Sequence, residues 1–129
     1  MEHRTSKAAS WQSSGEEHFT GSVWNSRRVD DDGGLTMIAV QFYPGARSAW
    51  HSHPAGQVLY VVSGSGLVHT EHSDTAEISP GDVIYAPPGE RHWHGARPES
   101  PMMHLSLTTE GPPAWKKKVT DEEYGEATG

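Results

Sequence analysis

The chain has 129 residues, no cysteine and a net charge of −7, which is room for one ordinary domain and one core without a disulfide framework. The acidic balance argues against a nucleic-acid partner, because phosphate recognition needs clustered Lys and Arg. The longest apolar run, residues 58–62, is too short to cross a bilayer. The first residues lack the apolar stretch of a signal peptide, so a cytoplasmic protein is expected. Gly (14) and Pro (9) are abundant against 33% hydrophobic residues, a mix that favours a turn-rich β fold. Nine histidines stand beside only ten Lys plus Arg, and His is the common transition-metal ligand.

In chain order, residues 1–18 are polar with little pattern. FTGSVW (19–24) reads as a short strand and RRVDDDGG (27–34) as a loop, by charge and glycine. LTMIAVQF (35–42) is a β-rich apolar run that Pro44-Gly45 ends. Short strands are expected at 47–53, 57–63, 66–71, 75–78, 82–86, 91–95 and 102–108. The turn-formers between them include Pro54-Ala55-Gly56, Gly64-Ser65-Gly66, Pro80-Gly81 and Pro87-Pro88-Gly89. This pattern predicts an all-β antiparallel sandwich or barrel. The charged tail, 110–129, reads as solvated around Lys116-Lys117-Lys118, with Thr120 capping a short helix that begins Asp121-Glu122-Glu123-Tyr124.

The chemistry is concentrated in GARSAWHSHPAGQVLYVVSGSG, residues 45–66. On a strand the side chains at i and i+2 share a face, so His51 and His53 project together. Gln57 opens the next strand and faces them, and His92 follows a second Pro-Pro-Gly turn. Three imidazoles and an amide oxygen converging in a barrel form a four-ligand metal site with open positions for water or substrate. On 102–108, Met102, His104, Ser106 and Thr108 share one face, which suits solvent or a wet pocket. His94 shares a face with His92. Trp50 and Trp93 fall on the opposite face, as core or interface residues. His3, His18, His69 and His72 lie in polar contexts and are expected at the surface. Residues 58–62 are apolar on both faces, which predicts cover by a second copy and hence a homo-oligomer, a dimer or tetramer.

Gly45-(x5)-His51-x-His53-(x3)-Gln57-(x6)-Gly64 and Gly81-(x5)-Pro87-x-Gly89-(x2)-His92 resemble the two motifs of the cupin superfamily. The resemblance implies one cupin (jelly-roll-like) β-barrel domain over 1–129, with motif one at 45–64 and motif two at 81–96. Its metal would be divalent: Mn, Fe, Zn, Ni or Co. Two positions depart from the general pattern. Gln57 stands where most cupins have Glu, and Ala96 where Asn often ends motif two. With Gln57 all four donors are neutral, so the ion would keep its full formal charge, polarise bound groups more strongly and be held less tightly.

More narrowly, residues 19–23, 44–57, 77–96, 102–107 and 115–124 are similar to the bacterial manganese-dependent cupin hydroxynitrile lyases. That likeness implies metal ligands His51, His53, Gln57 and His92, and manganese as the ion. It also implies catalysis by His104, the base for a cyanohydrin hydroxyl; His94 is a second catalytic candidate because its strand face, shared with His92, would bring it into the pocket. The small-molecule substrate would lie against Ile38, Val40 and Thr108; Ile38 replaces a smaller residue of those enzymes, and Thr108 a Gln. Other cupin chemistries (an isomerase, a polyketide cyclase, a dioxygenase) and non-catalytic ligand binding are the alternatives.

Overall fold

Glycines and prolines cut the chain into short antiparallel strands in the computed structural model, which describes residues 1–32 and 34–129. In order these are β1 (Gln12–Ser13), β2 (Phe19–Thr20), β3 (Val23–Asp30), β4 (Thr36–Phe42), β5 (Arg47–Ser48), β6 (His51–Ser52) and β7 (Gln57–Gly64). They continue with β8 (Gly66–Thr70), β9 (Thr75–Ile78), β10 (Val83–Ala86), β11 (His92–Ala96), β12 (Met102–Thr108) and β13 (Ala114–Trp115), before helix α1 (Asp121–Thr128). One sheet runs β1-β3-β4-β12-β7-β10. The other runs β13-β6-β11-β5-β2, with β8 pairing β11 and β9. The all-β architecture with a short C-terminal helix is the one expected.

β12 is the hinge of the arrangement, pairing β4 on one side and β7 on the other. Its alternation is inverted relative to an ordinary half-buried strand. His104 and Ser106 point inward and are buried, while Met103, Leu105 and Leu107 on the other face are only half-buried. The apolar lining between the sheets comes from Val23, Phe42, Leu59, Val61, Val68 and Met102. Each such side chain contributes on the order of 1.5–3 kcal/mol by leaving water.

A second cluster lies outside the barrel proper: Trp50, Leu67, Trp93, Val119 and Tyr124. Its lid is α1, which starts with a capping box. Thr120 Oγ1 accepts from the Glu123 N–H at 3.1 Å, and the Glu123 carboxylate accepts from the Thr120 N–H at 3.0 Å. The buried Arg47 guanidinium fastens the helix. It donates to Val119 O at 3.0 Å and to Asp121 Oδ1 at 2.7 Å, and lies 4.5 Å over the Tyr124 ring. Tyr124 in turn donates to Ala96 O at 2.6 Å.

Five expectations need correction. The 27–34 loop is strand as far as Asp30, because pairing with β4 supplies ladder partners that override the local charge; Gly33, within that expected loop, lies outside the described residues. The single strand at 19–24 is interrupted at Gly21, whose φ of 82° lies outside the extended region of a regular strand. The strand at 47–53 is two pieces, and His53 lies just past the second. The tail is not simply solvated, since Val119 and Tyr124 are buried and Trp50 exchanges backbone hydrogen bonds with Lys116 and Lys117. Among the histidines expected at the surface, His18 is half-buried and stacks on Trp115 at 4.4 Å. His69 is half-buried too, with Nδ1 2.7 Å from Thr75 Oγ1.

Candidate active site

Three separate segments deliver the histidines to one place. β6 carries His51, which sits opposite His92 of β11 across the ladder. The turn after β6 carries His53, and Gly56, with φ 87° and no room for a Cβ beside Ala86 O, turns the chain so that β7 starts at Gln57 facing them. All four side chains are buried. One ring nitrogen from each of His51, His53 and His92 lies within 4.8 Å of the others.

The hydrogen bonds decide which atoms are free. His51 Nδ1 is 2.9 Å from Ala49 O, and His92 Nδ1 is 3.0 Å from Glu90 O. A carbonyl only accepts, so both Nδ1 atoms carry the proton and both Nε2 atoms carry a lone pair. Gln57 Nε2 donates to Ser106 Oγ at 2.8 Å, which leaves Gln57 Oε1 inward, 3.0 Å from His92 Nε2. Two acceptors therefore face each other across 3.0 Å. Neither ring nitrogen of His53 has a hydrogen-bond partner among the described residues. Lone pairs from His51, His92 and Gln57, with an unpartnered imidazole from His53, are what a divalent cation requires, and the donor set fits one.

Electrostatics points the same way. Burial pushes His53 down to about 4, a neighbouring charge on His92 would act in the same direction, and Gln57 opposes it in part. Burial also lowers His92 and takes His51 well below the ordinary imidazole value. The imidazoles are thus neutral, as ligands must be.

A second set of imidazoles runs away from the cluster. His94 Nε2 is 3.3 Å from His51 Nε2, and His94 Nδ1 is 3.0 Å from His104 Nε2. With the His51 Nε2 lone pair fixed as above, His94 donates from Nε2 and accepts at Nδ1, and His104 donates from Nε2. The remaining nitrogen, His104 Nδ1, is buried without a partner among the described residues. Burial lowers His94 well below the usual value and His104 to about 4.

These groups line a cavity of about 560 Å³ together with Ile38, Val40 and Thr108. Residues that no motif singles out also line it: Phe19, Asn25, Arg27 and Trp115, among others. Trp115 packs on the His51 ring at 4.8 Å and meets Phe19 edge-on at 5.6 Å. Its pairing with β6 is the cause, since Trp115 lies opposite His51. No local signal could have shown that register. Trp50 and Trp93 lie on the far side, in the second cluster.

Comparison with known proteins agrees with this geometry. The family described as Cupin domain matches residues 39–108, which holds both histidine segments. The chain belongs to the cupin family. It is 44% identical to an (R)-mandelonitrile lyase from Granulicella tundricola, over 82% of this chain and 85% of that protein. Among solved structures, a cupin-like protein from Thermotoga maritima superposes with a TM-score of 0.87 at 38% identity, covering 90% of this cupin and 92% of the other. A polyketide cyclase from Streptomyces resistomycificus reaches a TM-score of 0.77 at 18% identity, over 96% and 90% of the two chains; this likeness shows the fold.

Proposed function

We propose that this cupin is a divalent-metal-dependent lyase of the hydroxynitrile type, with manganese held by His51, His53, Gln57 and His92. The observation that carries the reading is the line of imidazoles from His51 through His94 to His104, whose Nδ1 has no partner among the described residues, all three lining one cavity. The 44% identity to an (R)-mandelonitrile lyase supports the choice of reaction.

In this reading a cyanohydrin enters with its organic group against Phe19, Ile38, Val40 and Trp115. His104 Nδ1 takes the hydroxyl proton as the C–C bond breaks, giving a carbonyl compound and cyanide. His104 Nε2–H passes its proton to His94 Nδ1, and His94 Nε2–H protonates the departing cyanide, so HCN leaves and no net charge accumulates on the protein. A bound divalent ion supplies Lewis-acid stabilisation of the negative charge that develops, and the neutral donor set leaves its charge undiminished.

The test is cyanide release from mandelonitrile by protein loaded with each candidate metal. His104→Ala should lower turnover by on the order of 10²–10⁴-fold at unchanged metal content. Unchanged turnover removes His104 from the mechanism, and tight binding of an unreacted ligand under every metal makes this cupin a binding module instead.

The oligomer expectation finds support on β7 and the edge strand β10. Tyr60, Val62, Val83 and Tyr85 are exposed there at 42%, 44%, 64% and 62%, a contiguous apolar face of the kind a second copy covers. Sedimentation should give a dimer or tetramer, and a 14 kDa species at micromolar concentration would overturn it. Among the described residues, no helix is long and apolar enough to cross a membrane.

A further inference from the structure

An amide ligand poses a problem that a carboxylate does not. The two ends of a Gln side chain have nearly the same shape, yet only the oxygen can ligate a cation; the NH2 end presents donors and repels it. The backbone at Gln57 does not distinguish the ends. A neighbouring group must do so.

We infer that Ser106 is the positioning residue that holds the Gln57 amide with its oxygen toward His51, His53 and His92. Register brings the two together: in the β7–β12 ladder Gln57 lies opposite Thr108 and Leu59 opposite Ser106, so Ser106 is the diagonal neighbour of Gln57 on the same face. Ser106 is buried, and its Oγ accepts from Gln57 Nε2 at 2.8 Å. With the oxygen turned to a cation, this bond is what satisfies the NH2 end.

Without the hydroxyl that end becomes a buried donor with no acceptor. The amide then gains by turning over, because its NH2 can donate to the His92 Nε2 lone pair, which already lies 3.0 Å from the inward end. One rotation would withdraw two ligand atoms. The inference rests on Gln57 being the fourth ligand and is independent of the reaction catalysed.

The test is Mn²⁺ affinity, read from the electron paramagnetic resonance signal of the free ion. Ser106→Ala should weaken binding by about tenfold or more, with the unfolding of the metal-free protein little changed, and Ser106→Thr should restore it. A carboxylate has two equivalent oxygens and no end to select. In the Gln57→Glu protein the Ser106 hydroxyl would donate to the carboxylate and compete with the ion. Adding Ser106→Ala to Gln57→Glu should therefore leave affinity unchanged or raise it. An equal loss in both proteins, or no loss in either, overturns the inference. Gln57→Leu separates the two ideas. If it binds Mn²⁺ as the unaltered protein does, Gln57 is not a ligand and the premise falls; if it weakens binding while Ser106→Ala does not, only the role of Ser106 falls.

Discussion

The two faces of β11 show how differently one strand can be used. All five of its residues are buried. On one face, His94 lines the cavity and His92 turns its Nε2 lone pair toward Gln57 Oε1, beside the unpartnered ring nitrogens of His53. On the other, Trp93 is sealed under α1 beside Tyr124, where its Nε1 is the one ring nitrogen of this face left without a partner among the described residues, and the helix is tied down by Arg47. The closed face contributes stability through area removed from water. The open face contributes little, because burying polar groups without partners is costly and only a ligand compensates it. Stability and function are thus separated by the period of two of a single strand.

That separation can be broken by substitution. Trp93→Ala should cost about 3–5 kcal/mol in urea unfolding, yet leave the metal stoichiometry of the folded fraction intact. His53→Ala should do the reverse, weakening metal by more than the 10–100-fold typical of an outer partner while the metal-free protein unfolds much as before. If both properties fall together in both variants, the two faces are not independent.

Arg47→Leu tests the fastening of the lid. It removes a bond to the buried Val119 carbonyl, the ion pair to the exposed Asp121 carboxylate and the cation–π contact, at a cost of roughly 2–3 kcal/mol, and should raise amide exchange in α1 before any other element. Asp121→Asn should cost under about 1 kcal/mol, because that carboxylate is exposed.

Acidification sharpens the contrast at smaller scale. His104 sits near 4 when folded against 6.5 in the unfolded chain. Between those values the unfolded state binds more protons, so stability falls as pH drops from 6.5 toward 4. The metal-free protein should lose about 2 kcal/mol between pH 7 and pH 5 on account of His104 alone. His104→Gln should reduce the fall in unfolding free energy over that range by this share, the other buried histidines keeping theirs, and an unaltered pH slope would count against the burial account.

The resemblance of residues 45–64 and 81–92 to the two cupin motifs made the fold legible, because glycines and prolines at fixed offsets and a His-x-His spacing are local properties. The histidine cluster was legible for the same reason. The limits are equally specific. RRVD reads as a loop because charge is local, whereas its ladder with β4 is not. The tail reads as solvated because Lys116-Lys117-Lys118 are; the buried Val119 and Tyr124 take their place from the Arg47 anchor, more than seventy residues earlier in the chain.

The sequence by itself determined which residue types could hold a cation and how they are spaced, since turns and strand alternation are set over a few residues. Only the tertiary structure decided which atoms of those residues are free. The protonated nitrogen of His51 or His92 and the inward end of Gln57 depend on Ala49 O, Glu90 O and Ser106 Oγ, and so on how the strands fold and pair. The inverted face of β12 was settled the same way. Met102, His104, Ser106 and Thr108 alone could have faced water, and pairing with both β4 and β7 turned them inward.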